Sequence, residues 1–165
     1  MVALDAANGN LLWKTFTIEN EAKPIGKNSI GTQLWGPSGD PIWNAPTIDV
    51  KRNLLYVGTG NNYSIPATST SDAIVAFDMD SGVIRWVRQV ADNDVWSSAC
   101  RTFGQDTYLC PDIDAPDTDF GNSPILVNLN GRDLLVAGNK LGLVYAFDPD
   151  NEGEIIWQES TGKGA

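Results

Sequence analysis

The chain contains no histidine. That absence removes a Ser-His-Asp triad, a His-ligated zinc and a C-x-x-C-H haem attachment from the chemistry available to it. Cysteine is scarce as well, with two residues, too few for a four-thiolate metal centre or a multi-disulfide scaffold. No apolar run approaches the ~20 residues that a membrane-spanning helix needs. Basic residues are outnumbered, 11 against 21 acidic, for a net charge of −10. A surface of that sign repels phosphate backbones and argues against nucleic-acid binding. Any catalysis must rest on carboxylates, lysine, a hard metal or an organic cofactor.

What is present reads as globular and rich in turns. Hydrophobic residues make up 42% of the 165 positions and charged residues 19%, which sets the chain apart from disordered sequences. Sixteen Gly and nine Pro are scattered along it, as short-stranded all-β architectures require.

One segment recurs three times. It runs Ala3-Leu4-Asp5 through Gly9 to Trp13, then Ala76-Phe77-Asp78 through Gly82 to Trp86, then Ala146-Phe147-Asp148 through Gly153 to Trp157 with one residue inserted. Each copy is an apolar strand, an Asp-to-Gly turn and a second strand carrying a Trp, the pattern of a β-hairpin. A further hairpin precedes the second and third copies: 46–50 with 54–58, and 124–128 with 134–138. Together they give four antiparallel strands per unit, repeating about every 70–80 residues.

Tandem four-stranded antiparallel sheets are the blades of a β-propeller. The predicted fold is therefore all-β, a partial β-propeller with an incomplete ring. Residues 1–17 form the last hairpin of one blade, 43–90 a second blade, 91–118 a Cys-containing insertion loop and 119–160 a third blade. The strand-like start at Met1, with no leader pattern, fits a piece of a larger protein. Open blade edges in such a piece invite strand pairing and self-association. Packing between adjacent blades accounts for Trp13, Trp86 and Trp157.

Cys100 and Cys110 lie ten positions apart in a Pro/Asp-rich loop. The spacing suits a disulfide, with a free buried pair as the alternative; a disulfide implies an oxidising compartment.

The Ala-x-Asp-x-x-x-Gly-x-x-x-Trp repeat resembles the docking motif of pyrroloquinoline-quinone (PQQ) dependent dehydrogenases. Trp35-Gly36-Pro37-Ser38-Gly39, residues 42–49, residues 58–64, residues 71–76 and the loop from Cys100 to Asp119-Phe120-Gly121 are similar, more narrowly, to the polyvinyl-alcohol dehydrogenase branch. The resemblance implies an oxidoreductase of the periplasm or the secreted space. It would use PQQ with Ca2+ to oxidise an alcohol, secondary or polymeric, and pass electrons to a cytochrome c. A non-catalytic propeller of this type, serving as a protein-interaction scaffold, is the competing reading.

Four residues stand where such chemistry would sit. In an antiparallel hairpin the residue entering the first strand lies beside the residue leaving the second. Trp43 and Asn61 hold those places in one blade, and Asp119 and Lys140 in the next, so all four project from one end of the propeller. By resemblance Trp43 matches the tryptophan on which PQQ stacks, and Asn61 a calcium ligand. Lys140 matches the basic residue at the quinone oxygens, with a catalytic as well as a cofactor-binding role, and Asp119 the catalytic base, which with Asn61 would bind the metal. The plainer readings are a Trp capping the blade edge, a Gly/Asn turn, a hairpin-turn lysine and a solvated acidic loop. Relatives often place the base directly after a Trp, where this chain has Trp96-Ser97, so Asp94 and Asp117 are rivals of Asp119. The family's acidic calcium ligand would lie before the first repeat.

Overall fold

The three repeated turns are built by their aspartates. Gly9, Gly82 and Gly153 donate their N–H groups to the carbonyls of Asp5, Asp78 and Asp148 at 2.7, 2.9 and 2.9 Å. The same aspartates accept, through Oδ1, the N–H two residues on: Ala7, Asp80 and Asp150, at 2.8, 3.1 and 2.9 Å. This is the Asx-type closure that favours Asp at the head of a turn.

The computed structural model describes residues 1–103 and 110–164. Strands β1 (Val2–Leu4) and β2 (Leu11–Lys14) pair around the first turn. The second blade comprises β6 (Thr47–Asp49), β7 (Leu54–Gly58), β9 (Ala73–Asp78) and β10 (Ile84–Gln89), antiparallel in that spatial order. The third comprises β11 (Ile125–Leu129), β12 (Arg132–Gly138), β13 (Leu143–Asp148) and β14 (Glu154–Ser160), again in chain order.

Both faces of the second blade are covered, which explains why β9 is an unbroken apolar run without alternation. Tyr56, Ile74, Ala76 and Trp86 pack on one side against Phe120, Leu135, Tyr145 and Phe147 of the third blade. Val57, Val75 and Phe77 turn to the other side, where Met1 and Ile42 reach them. All six residues of β9 are buried.

Adjacent blades are pinned by tryptophan on glycine. Gly82 and Gly153 hold φ of +71° and +69°, and a Cβ on either would fall 2.4 Å and 2.5 Å from the rings of Trp13 and Trp86. Only glycine meets both demands, a left-handed backbone and a flat indole against it. Trp13 also donates its indole N–H to the Met79 carbonyl at 2.8 Å. Trp157 meets no further turn and stays 41% exposed, against 9% for Trp13 and Trp86. On the same rim Arg52, from the turn between β6 and β7, ties the second and third blades together, binding Asp49, Asp133 and Asp150 at 2.7, 2.8 and 2.6 Å.

Residues 18–42, for which the sequence suggested no element, carry two more pieces. A hairpin pairs β3 (Lys23–Lys27) with β4 (Gln33–Gly36), and a short ladder pairs β5 (Ser38–Gly39) with β8 (Asn62–Ser64). A five-residue helix, α1 (Ala99–Phe103), interrupts the insertion loop, and Cys100 is bonded to Cys110. Among the described residues no helix is long and apolar enough to cross a membrane.

Candidate cofactor and active site

The two blades meet where their first strands run side by side. Asn44, just before β6, binds across that seam: its side-chain N–H donates to the carbonyls of Gly58 and Phe120, both at 2.9 Å. Thr47 bonds the Pro124 carbonyl. The segments entering β6 and β11 are thereby held together, and Trp43 and Asp119 with them.

Asp119 is buried, and its two oxygens have separate tasks. Oδ1 accepts the backbone N–H of Asn61 at 2.8 Å, and Oδ2 pairs with the Lys140 ammonium. The approach requires glycine at the preceding position, since a Cβ on Gly60 would lie 2.2 Å from Asp119 Oδ1. Lys140 also donates to Asp117 Oδ1 at 3.0 Å. Its backbone N–H meanwhile bonds the carbonyls of Thr118 and Asp119 at 3.1 and 3.0 Å. The ammonium is 5.5 Å from the centre of the Trp43 ring, within cation–π range.

Asn61 is fixed through its amide nitrogen, which donates to the carbonyls of Asn62, at 2.9 Å, and Trp96. Its side-chain oxygen accepts no hydrogen bond among the described residues. Behind it Asn62 is locked by Asp40, which also accepts the hydroxyls of Thr68 and Thr70 at 2.5 and 2.7 Å.

Burial shapes the charges. It lowers the affinity of Lys140 for its proton, but the hydrogen bonds and charges of Asp119 and Asp117 outweigh it and hold the ammonium above its ordinary pKa. Burial pushes the Asp117 carboxyl above the usual carboxylate range; the charge of Asp119 adds to this and Lys140 opposes it.

All four sequence-singled residues, Trp43, Asn61, Asp119 and Lys140, line one cavity of about 620 Å³. Asp117 lines it too, whereas Asp94 does not. The walls also contain Ile25, Leu34 and Trp35 from the β3–β4 hairpin and Tyr63, none of which the sequence marks as a site residue, and Trp96, which it marks only as the neighbour of a possible base. The signal for Trp35 and Tyr63 was present in the stretches quoted above, but nothing in their spacing distinguishes wall from core.

An exposed indole face, a fixed cation beside it and a largely apolar surround suit a planar, anionic, conjugated ring. Calcium is served less fully. It takes about six to eight oxygens, and the cavity offers the free Asn61 oxygen beside an Asp119 carboxylate that Lys140 and Asn61 already engage. Among the described residues no three His, Cys, Asp or Glu side chains gather into a metal centre.

A family model for "PQQ: Glucose/ethanol/alcohol dehydrogenase, beta-propeller domain" matches residues 1–100. The chain belongs to this family. PQQ-family relatives include the polyvinylalcohol dehydrogenases of Pseudomonas sp and Sphingopyxis sp. (strain 113P3), 45% and 41% identical over the whole of this chain. The match covers 25% of each of those proteins, so the chain spans about a quarter of the length of the curated relatives it resembles. The quinohemoprotein alcohol dehydrogenase of Comamonas testosteroni superposes with a TM-score of 0.62 at 21% identity, covering 96% of this chain and 24% of that one. A europium-containing methanol dehydrogenase superposes with a TM-score of 0.64 at 21% identity, covering 97% and 29%. These two structures support the propeller fold alone.

Proposed function

We propose that the whole protein is a PQQ-dependent alcohol dehydrogenase and that this chain supplies one side of its active site. The observation that carries the reading is the meeting of Trp43, Asn61, Asp119 and Lys140, from two blades, around one cavity. PQQ, when bound, supplies a hydride acceptor for the carbinol carbon. Trp43 holds the planar ring against its exposed face. Lys140, kept protonated by Asp117 and Asp119, sets a positive charge beside that ring, where negative charge develops as the alcohol is oxidised.

Asp119 takes the proton of the alcohol hydroxyl. Its carboxylate is aimed by the Asn61 N–H and by Lys140, both of which hold it rigidly at the cavity wall. Asp117 shares Lys140 and is the secondary candidate, while Asp94 sits outside the cavity. Calcium would draw on the Asn61 oxygen, with further donors from elsewhere in the protein, and no step is assigned to it here.

The relatives' names point to a polymeric or secondary alcohol as substrate. An external cytochrome c as electron acceptor and a periplasmic or secreted location complete the reading. The Cys100–Cys110 bond accords with an oxidising compartment.

The test is turnover of the whole protein reconstituted with PQQ and calcium. Asp119→Asn is expected to cut kcat by about 10²-fold or more while PQQ still binds. Turnover at the wild-type rate in that variant removes Asp119 as the base.

A further inference from the structure

Behind the cavity wall lies a second group of charges that this chemistry leaves unused. Asp72 immediately precedes β9 and is fully buried, its backbone held in the left-handed region at φ 49°. Its N–H donates to the Gly60 carbonyl at 3.1 Å and its own carbonyl accepts the N–H of Val90 at 3.0 Å. The carboxylate is different: neither oxygen has a hydrogen-bond partner. Asp94, 1% exposed, accepts the Thr118 N–H on Oδ2 at 2.8 Å, and its Oδ1 has no partner. The Thr118 hydroxyl, equally buried, also has none.

These groups are neighbours. Consecutive amides of one segment face the two carboxylates: the Thr118 N–H bonds Asp94, and the Asp119 N–H leans toward Asp72 without reaching bonding geometry. Of the charges that bear on Asp72, that of Asp94 is the largest. Four oxygens thus lack any donor, and neither aspartate forms an ion pair with Lys or Arg among the described residues.

Burial, then the charge of Asp94, pushes the Asp72 carboxyl up to about 8, so that without a partner it holds a proton near neutral pH. A second buried anion there is costly unless a bound group neutralises it. A water molecule donates two hydrogens and carries no charge. A hard cation accepts carboxylate and hydroxyl oxygens together and cancels the repulsion. The donor set is oxygen alone, which selects against soft and borderline metals.

We propose that Asp72, Asp94 and the Thr118 hydroxyl bind a hard metal cation of the calcium type, at a site separate from the cavity. None of the three lines the cavity. The ion joins the entry to β9, the segment after β10 and the residue that precedes Asp119. Since the Lys140 N–H bonds the carbonyls of Thr118 and Asp119, occupancy would fix the base and its partner lysine together. The site stands whether or not the quinone reading does.

The experiment is calcium titration of the full chain after chelator treatment, followed by calorimetry and thermal melting. Wild type and Asn61→Ala are expected to bind about one ion at this site. Asp72→Asn, isosteric and neutral, should bind at least a hundredfold more weakly. Calcium at about a hundredfold excess over the wild-type Kd should raise the melting temperature of wild type by roughly 5–10 °C, and that of Asp72→Asn by no more than about 1–2 °C. Thr118→Val, which keeps the shape and removes one oxygen, should weaken binding about tenfold and serves if Asp72→Asn does not fold. Absence of calcium binding by the folded wild type overturns the proposal. So does binding unchanged in both Asp72→Asn and Thr118→Val, or binding abolished by Asn61→Ala, which would put the ion at the cavity.

Discussion

The Lys140 ammonium, carried by the third blade, lies 5.5 Å from the centre of the Trp43 indole, carried by the segment entering the second. Neither blade alone makes this pair. Its position is set by Asp117 and Asp119, which both bind the ammonium. Lys140→Met keeps the aliphatic stem and removes the charge, leaving two carboxylates facing each other with no cation. Urea unfolding should show a loss of about 1–3 kcal/mol, together with weaker PQQ binding. Unchanged stability and affinity would mean that the lysine is an ordinary turn residue.

Glycines in the repeated turns should separate by what touches them. Gly82 and Gly153 combine positive φ with an indole within 2.5 Å of an added Cβ, whereas Gly131, at φ +85°, has nothing within 4 Å. Gly131→Ala should cost only the left-handed backbone penalty, about 1–2 kcal/mol. Gly82→Ala and Gly153→Ala should cost about 2–5 kcal/mol, because overpacking adds to it. Denaturant melts of the three variants check the ordering, and equal losses would deny the tryptophan docking.

Acid should loosen the second turn. The Ser81 hydroxyl and N–H, then Arg85, hold the Asp78 carboxyl down at about 2 from an ordinary 3.8. The unfolded chain therefore binds this proton first as pH falls. The stabilisation is complete above about pH 4 and is lost on the way down to about pH 2. Melting temperatures between pH 5 and 2 should fall more steeply in wild type than in Asp78→Asn. Parallel curves would show that the turn carboxylate does not contribute.

The Cys100–Cys110 bond closes a loop of ten positions and starts one residue after Ala99, which lines the cavity. Chain entropy gives such a loop roughly 2–3 kcal/mol of stabilisation. Cys100→Ser with Cys110→Ser should lower the unfolding free energy by that order, read by denaturant melts with and without reductant. A reductant-insensitive wild type would contradict it.

Much of this was legible from repetition. The Asp-to-Gly turn and the Trp that follows it fix strand order and the partner of each blade. Hairpin geometry then brings Trp43 beside Asn61 and Asp119 beside Lys140 without knowledge of side-chain packing. What stayed hidden depends on contacts with no sequence period. The β3–β4 hairpin, which adds Ile25, Leu34 and Trp35 to the cavity, contains Pro24 and Gly26 and lacks clean alternation. Asp72 reads as one more turn aspartate, and only its burial without a partner reveals a task. Asp94 looked like a rival base because spacing cannot tell a residue at a wall from one behind it.

The central claim, a quinone site shared by two blades, is tested most directly by titrating the whole protein with PQQ while following tryptophan fluorescence. Saturable quenching near one equivalent in wild type, weakened at least tenfold in Trp43→Ala, is the expected result. Equal affinity in wild type and Trp43→Ala, with both proteins folded, would contradict it.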